Sequence, residues 1–254
     1  IITLLSVLLC ITGHAQFFEK VDYVGALSAD KSKDWTSGWT HWNPKSIFWV
    51  ADYGWDTTTF NSPTGIIEIT ETVTLYEKTT YLLRSVVVVR NGGKLIIPAG
   101  TIIRGIANLS MTPKQYATIV VERGGYISCE GTSARPVVFT SAKGSEYRGS
   151  GDWGGIVICG KARNNQGTDI QVEGFNNISA NSTLAKHGGV NDDDNSGVIK
   201  YTRIEFCGLA FEPNKEINGL TLASVGRNTT VDHVQVSYSN DDSYEWFGGT
   251  VNCK

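Results

Sequence analysis

A run of oxygen-bearing side chains at residues 191–197 is the clearest sign of chemistry in this sequence. When Asp192 is taken as the first position of a calcium loop, Asp194 falls third, Ser196 falls fifth and a glycine falls sixth. Hard cations such as Ca²⁺ take oxygen ligands at this spacing. The pattern departs from an EF-hand at the twelfth position, where Arg203 replaces the bidentate glutamate. Two readings stay open: a simple hard-cation loop with Asp192, Asp194 and Ser196 as ligands, and an ordinary solvated turn.

A second acidic group lies near the end of the sequence. In a thirty-residue repeat, its corner would lie beside an earlier acidic corner one turn away. Neighbouring turns of a stacked β structure are about 4.8 Å apart, so the two corners would form a vertical acidic patch. Crowding raises the pKa of one carboxyl, as a general acid requires, and Asp241, Asp242 and Glu245 are the catalytic candidates. The predicted ligand-binding residues are Glu212, Asn214, Glu216, Asp241, Asp242 and Glu245.

Two observations favour a non-catalytic interpretation of this patch. The histidine and the Arg-x-Lys pair expected beside the paired carboxylates of β-helix polysaccharide enzymes are not evident. His233 lies inside a strand-like run, while His41 and His187 lie in distant loops. Asp and Asn are also the commonest corner residues for purely conformational reasons. The sequence leaves enzymatic activity open and leans against it. No cofactor is required, and calcium is the one ion that the pattern suggests.

Composition excludes nucleic acid as a partner. The chain has 254 residues, 19% of them charged, a formal net charge of −3, and no run of Lys or Arg that could neutralise a row of phosphates. Four cysteines follow the N-terminal region, at spacings that match no zinc or redox motif. We predict that they are small core residues. These are Cys129, Cys159, Cys207 and Cys253. The oligomeric state is not indicated.

The N-terminus reads as an export signal. Residues 1–15 hold an apolar run followed by small residues suited to cleavage, and the run is too short for a membrane span. A lipoprotein signal with Cys10 acylated is the alternative, although Leu9 occupies a position that such sites reserve for small residues. We expect a chain truncated at both ends, with no transmembrane span after cleavage. Its expected location is therefore at the cell surface or outside the cell.

Short runs rich in Val, Ile, Thr and Tyr, broken by Gly, Asn and Pro, fill the sequence from residue 64 onward. The segment 89–95 resembles 121–127, and 201–206 aligns with 231–236 thirty positions later. Repeated units of this size predict an all-β solenoid, a parallel β-helix over residues 64–254, because stacked turns share one core. A β-sandwich is the alternative. Hairpin signals are scarce, which favours parallel stacking.

The segment 16–63 differs in composition and holds five of the seven Trp residues. Exposed Trp faces could stack on sugar rings. We favour the alternative of an N-terminal cap that covers the open first turn, since every solenoid needs one. Residues 106–116 and 163–190 read as loops inserted between turns, and such loops often form a binding face.

Six motifs follow one another along the chain, at Asp34–Thr40, Pro98–Ile103, Gly151–Gly155, Asp193–Gly197, Glu216–Leu222 and Asp241–Val251. Together they resemble a family of secreted right-handed parallel β-helix proteins common in Bacteroidetes. The resemblance spans nearly all of the chain after the signal, and it implies the fold and secretion, in many members through a C-terminal type IX signal. It implies no assigned activity and supplies no catalytic residues. For this chain it implies a location on the outer surface of a Gram-negative bacterium, or outside the cell.

The sequence therefore leaves three functions open. The first is an exported β-helix that binds glycan or matrix without cleaving it. The second is a polysaccharide lyase or glycoside hydrolase that uses the stacked carboxylates. The third is a structural spacer that holds other domains away from the cell.

Overall fold

The computed structural model describes residues 21–47, 56–77, 79–112, 114–175, 184–212 and 215–254. The predicted signal at residues 1–15 lies outside them. The chain divides into two compact units, one ending at Ser37 and one comprising Gly38–Lys254. In the first, the three-residue 3₁₀ helix Lys31–Lys33 begins where the Asp30 carboxylate accepts the Ser32 N–H. No helix in the described part of the chain is long and apolar enough to span a membrane.

The second unit contains a six-stranded, all-parallel sheet. Its strands are short, most are rich in β-branched residues, and successive strands of the sheet come from successive turns of the chain. This sheet contains β2 (Ile66–Ile69), β5 (Val86–Val89), β8 (Thr118–Val121), β11 (Ile156–Cys159), β17 (Leu220–Val225) and β19 (Tyr244–Gly249).

A ten-stranded sheet has two arms, because β14 and β18 are long enough to belong to both. One arm contains β3 (Thr72–Thr74), β6 (Lys94–Ile97), β9 (Tyr126–Glu130) and β20 (Asn252–Cys253), with the first halves of β14 (Gly197–Glu205) and β18 (Thr230–Ser237). The other contains β1 (Asp56–Phe60), β4 (Thr79–Leu83), β7 (Ile102–Gly105) and β10 (Val137–Ser141), with the second halves of β14 and β18.

Two small antiparallel hairpins lie outside these sheets. They are β12 (Ile170–Gln171) with β13 (Lys186–His187), and β15 (Ala210–Glu212) with β16 (Lys215–Glu216). The first belongs to the segment that connects β11 to β14, and the second to the segment that connects β14 to β17. Two further 3₁₀ helices are Pro44–Ser46 and Ser145–Tyr147.

Inward side chains stack in columns, one from each turn, and together they form the core. Burial of this apolar surface stabilises each turn only when its neighbours are present, by about 25 cal/mol per Å². One column contains Val87, Ile119, Ile156, Leu220 and Tyr244, and another contains Tyr81, Ile103, Phe139, Ile204 and Val236.

Trp153 enters this core from the loop that precedes β11. Its ring stacks on Phe139 at 6.2 Å, and its indole N–H donates to the Glu205 carbonyl at 2.8 Å. Gly105 makes room for it, because a Cβ there would lie 2.7 Å from Trp153 Cβ. Within the segment Gly151–Gly155, Trp153 therefore serves packing.

The late corners are turned by stacked residues with left-handed backbone. Tyr201 (φ +45°) stacks on His233 (φ +54°) with ring centroids 4.4 Å apart, and Phe206 (φ +61°) stacks on Tyr238 (φ +55°) at 5.2 Å. Non-glycine residues rarely adopt this conformation. The stacking of the rings at equivalent corners of successive turns offsets the free-energy cost of the left-handed backbone.

The predicted all-β parallel β-helix is confirmed, and the β-sandwich alternative is wrong because every long strand pairs in parallel. The similarity of 89–95 to 121–127 gives the observed register, in which Val89 pairs with Val121. The thirty-residue alignment of the last third is wrong. Thr202 pairs with Val234, an offset of 32, while Leu220 pairs with Tyr244, an offset of 24.

The described part of the Trp-rich segment that belongs to the second unit lies against late turns of the ten-stranded sheet. Trp39 is 1% exposed and contacts Tyr201 and His233, and the Gln235 carboxamide exchanges hydrogen bonds with the His41 backbone. Trp49 and Trp55 lie outside the described residues. The cap over the first turn and the predicted domain boundaries therefore stay predictions.

Cys129, Cys159 and Cys207 are buried without disulfides, as expected of small core residues. They do not share one environment. Cys207 lies in the interior core, whereas Cys159 lies on the outer face of the six-stranded sheet, under the loops that cover it. Cys253 is exposed.

Candidate functional site

A groove of about 580 Å³ lies beside the β12–β13 hairpin, where the inserted segment meets β16 and β19. This volume is typical of a small-ligand site. The sequence prediction that the 163–190 insertion builds a binding face thus has a concrete location. We define the groove by Asn164, Asn165, Gln166, Gln171, Glu173, His187, Lys215 and Phe247.

Asn164 and His187 are held in place by Ser224, the residue at which β17 bends (φ +51°). Asn164 Nδ2 donates to Ser224 Oγ at 2.8 Å, and His187 Nδ1 lies 2.8 Å from the same oxygen. Burial, together with the positive charge of Arg123, lowers the pKa of His187. His187 is therefore neutral at pH 7, and it serves the groove as a hydrogen-bonding group rather than as a cation.

Carboxamides dominate the polar lining. Gln171 is positioned by donating Nε2 to the Leu184 carbonyl at 3.0 Å, while Asn165 and Gln166 are exposed to solvent. Each carboxamide carries one acceptor oxygen and two N–H donors. Lys215 is the only Lys or Arg among the described lining residues.

Phe247 supplies an apolar wall of the groove, because it extends the outer apolar cluster of the six-stranded sheet. Trp246 also lines the groove, although it lies on the opposite face of β19 from Phe247. It is in register with the inward-facing Leu222, and its ring stacks on Tyr244 at 5.8 Å. Its 50% exposure reflects its position on the last strand of the sheet.

Carboxylates gather at the corner between β18 and β19. Backbone N–H groups of Gly219 and Leu220 donate to the carbonyls of Asp242 and Ser243, each at 3.0 Å, which stacks this corner on the preceding turn. Glu245 follows on β19, beside Thr221 of β17.

Asn218 donates its Nδ2–H to the Glu245 carboxylate. Burial raises the pKa of Glu245, the Asn218 bond lowers it, and the negative charges of Asp242, Glu173 and Asp241 raise it further. Glu173 also lines the groove, so its charge acts on both features. We call Glu173, Asp241, Asp242 and Glu245 the acidic corner.

The structure brings together part of the predicted ligand-binding set. Asp241, Asp242 and Glu245 are neighbours, as expected. Glu216 lies in the β15–β16 hairpin, and its charge is not among those that shift the pKa of Glu245. Glu212 ends β15, and Asn214 lies outside the described residues.

The partner that sequence reasoning missed is Glu173. It is about seventy residues away from Glu245 in the sequence, and only the path of the inserted segment brings the two together. The one available signal was the insertion itself, which was predicted as a binding face without naming this residue.

Two carboxylates of the acidic loop at 191–197 are bonded to other groups of the protein. Asp194 accepts the Lys161 N–H at 2.8 Å, while Asp192 accepts the Arg163 N–H at 3.1 Å and lies 3.3 Å from the Arg163 guanidinium. Ser196 is 1% exposed. No group of three His, Cys, Asp or Glu side chains in the described ranges converges as a metal site. Calcium binding by Asp192, Asp194 and Ser196 stays a prediction.

Comparison with known proteins gives one match. A family model described as a pectate-lyase-like beta helix domain matches residues 67–254, about three quarters of the chain. No curated protein and no solved structure matches the chain.

Proposed function

We propose that this chain, which belongs to the family of pectate-lyase-like beta helix domains, is an exported β-helix that binds a glycan in the groove without cleaving it. The observation that carries the proposal is the carboxamide lining. Sugar hydroxyls both donate and accept hydrogen bonds, and so do Asn and Gln side chains. The Phe247 wall offers apolar contact for the carbon face of a sugar ring.

The charges in the groove argue against a polyuronide as the ligand. A uronate chain would bring its carboxylates beside Glu173 and the acidic corner, with only Lys215 among the described lining residues to balance them. Like charges at short range disfavour binding. The proposed ligand is therefore a glycan without a high density of acidic sugars.

The test is a glycan array followed by calorimetry on the folded chain. The double variant Asn165→Ala with Gln166→Ala removes two exposed carboxamides, each worth about 0.5–1.5 kcal/mol, so we expect the affinity to fall about tenfold. Asn43→Ala is the matched control, since Asn43 is exposed and lies outside the groove. Absence of binding to every glycan, or equal loss in the control, would refute the proposal.

Glycoside hydrolysis is a second candidate, and one observation favours it. Burial raises the pKa of Glu245, which is the condition under which a glutamate can act as a general acid. The same array hits should be incubated with the chain and with Glu245→Gln, and the products followed by mass spectrometry. Cleavage that is lost in Glu245→Gln would establish the hydrolase, and intact oligosaccharides would exclude it for those substrates.

A further inference from the structure

A second cavity, of about 450 Å³, lies between the inserted segment and the corners that follow β5, β8 and β11. Its volume is typical of a small-ligand site. It shares no described lining residue with the groove. We call it the corner pocket and define it by Asn91, Arg123, Lys161, Thr168, Gly188 and Asn191.

Lys161 reaches the corner pocket beside a glycine of the preceding turn. A Cβ at Gly124 would lie 2.8 Å from Lys161 Nζ and 2.0 Å from Asn91 Oδ1, so the bare glycine leaves room for both side chains. The three residues come from the corners of three successive turns. In the described part of the chain, Lys161 Nζ donates no hydrogen bond and forms no ion pair. Its positive charge is therefore available to a ligand.

Arg123 supplies a second positive charge to the corner pocket. Its Nη1 donates to the Gly188 carbonyl at 3.0 Å, and its Nη2 pairs with the Asp169 carboxylate. A guanidinium has five N–H donors, and across the described ranges the other three have no acceptor. Asp169 is exposed and does not line the pocket, and no Asp or Glu is among the described lining residues. The pocket thus presents two cations and no carboxylate.

The number of donors indicates which anion fits the corner pocket. Besides the three N–H groups of the Lys161 ammonium and the three of Arg123, Asn91 and Asn191 each carry an amide with two N–H donors. A sulfate or phosphate ester has three terminal oxygens, each of which accepts hydrogen bonds. A carboxylate has only two oxygens. The tetrahedral ester therefore fills more of the donors, and its bonds to both cations are charge-assisted.

We propose that the corner pocket is a second binding site, which takes a sugar-sized ligand through a sulfate or phosphate ester bound by Lys161 and Arg123. The volume of the pocket accommodates a ring beside the ester. The proposal goes beyond glycan binding in the groove and does not depend on it, since the two sites have separate lining residues in the described chain.

The experiment measures the binding of glucose, glucuronate, glucose 6-sulfate and glucose 6-phosphate by calorimetry at neutral pH and low salt, where charges are little screened. We expect at least one ester to bind about tenfold more tightly than glucose and glucuronate, and the tighter ester identifies the natural group. Lys161→Gln should lower the affinity for that ester about tenfold. Lys186→Gln is the matched control, because Lys186 is a partly buried lysine that lines a neighbouring cavity, and it should change the affinity less than about twofold.

Gly124→Ala tests the geometry of the corner pocket without changing its charge. The added Cβ would displace Lys161 Nζ and the Asn91 amide, so we expect the affinity for the ester to fall at least about fivefold. Gly92→Ala is the control, because Gly92 lies at the equivalent corner one turn earlier. Its φ of +85° matches the +83° of Gly124, and its Cβ would meet no other atom within 4 Å. It should leave the affinity unchanged.

Each alternative result has a definite meaning. Equal binding of glucose and both esters would overturn the proposal, and so would glucuronate binding as tightly as the esters. Ester binding that survives in Lys161→Gln would place the ester elsewhere, and an equal loss in Lys186→Gln would show a response to general positive charge. The groove variant Asn165→Ala with Gln166→Ala should leave ester binding unchanged, so the failure of one proposal does not decide the other. Thermal unfolding confirms that each variant is folded before binding is compared.

Discussion

Replacement of Glu245 by glutamine should make the folded chain more stable at neutral pH. In the native protein Asn218 donates to the Glu245 carboxylate, while no residue in the described part of the chain donates to the buried Asn218 Oδ1. A glutamine has both an acceptor and two donors, so it can accept from Asn218 Nδ2 and donate to Oδ1. The substitution keeps the shape of the side chain and removes one negative charge from the acidic corner.

The expected gain comes mainly from the new hydrogen bond. A buried acceptor without a partner costs about 1–3 kcal/mol, and a replaced side chain recovers part of it, so we expect a gain of about 1 kcal/mol. For a chain of this length, 1 kcal/mol corresponds to a rise of roughly 2–4 °C in Tm. Relief of repulsion adds little, because Glu173, Asp241 and Asp242 are exposed and water screens their charges.

The gain should depend on pH. Burial raises the pKa of Glu245, so the folded chain binds this proton more tightly than the unfolded chain does. The stability contributed by the proton is fully present below the unfolded pKa and is lost as pH rises through the raised folded pKa. Glu245→Gln has no such proton. Protonated Glu245 has an O–H that can itself donate to Asn218 Oδ1. The advantage of glutamine should therefore be largest at neutral pH, shrink as the pH falls through the raised pKa of Glu245, and disappear below about pH 4, the ordinary glutamate range.

Thermal unfolding followed by circular dichroism between roughly pH 4 and pH 8 measures this difference. Glu146→Gln is the control, since Glu146 is exposed in the Ser145–Tyr147 turn, and it should show no gain at any pH. A lower Tm for Glu245→Gln at neutral pH would refute the reasoning about the orphan oxygen. A gain that is equal at all pH values would refute the reasoning about the raised pKa.

Three further results are expected. Trp153→Phe should lower the free energy of unfolding, measured in urea, by about 2 kcal/mol, because it removes a hydrogen bond and leaves a small cavity. Trp42→Phe is the control and should change the free energy of unfolding little, since Trp42 is 72% exposed. Gly197→Ala should lower the free energy of unfolding by at least about 3 kcal/mol, because the added Cβ would lie 1.9 Å from a backbone oxygen. Gly92→Ala should lower it by about 1 kcal/mol, because Gly92 also has a positive φ but its Cβ would meet no other atom within 4 Å. If the loop at 191–197 binds calcium, chelation will lower Tm, and an unchanged Tm would contradict that prediction.

The sequence predicts the early turns of the β-helix better than the late ones. Between β5 and β8 the matched segments 89–95 and 121–127 are separated by one short excursion, and the Gly pair recurs at the same corner. In the last turns the β15–β16 hairpin lengthens the segment between β14 and β17, whereas the segment between β17 and β19 contains no such hairpin. The offset therefore differs between the two sheets, 32 in one and 24 in the other, and no single period describes both.

Corner chemistry explains the rest of the difference. Glycine and asparagine were expected at the corners, since they adopt left-handed backbone at low cost. The late corners use Tyr201, His233, Phe206 and Tyr238 instead, whose rings stack between turns. Stacking is a contact between residues 32 apart, so the propensity of each residue alone gives no sign of it.

The same reasoning accounts for what the sequence reveals of the site. Asp241, Asp242 and Glu245 lie within five residues of one another, so local spacing was enough to place them at one corner. Glu173 reaches them only through the fold of an insertion. The strands of a β-helix are fixed by the strands of the turns above and below them. Residues distant in the sequence can therefore be brought to a site only by loops inserted between the strands. Glu173 lines the groove on an insertion from one turn, and its charge acts on Glu245 in a later turn.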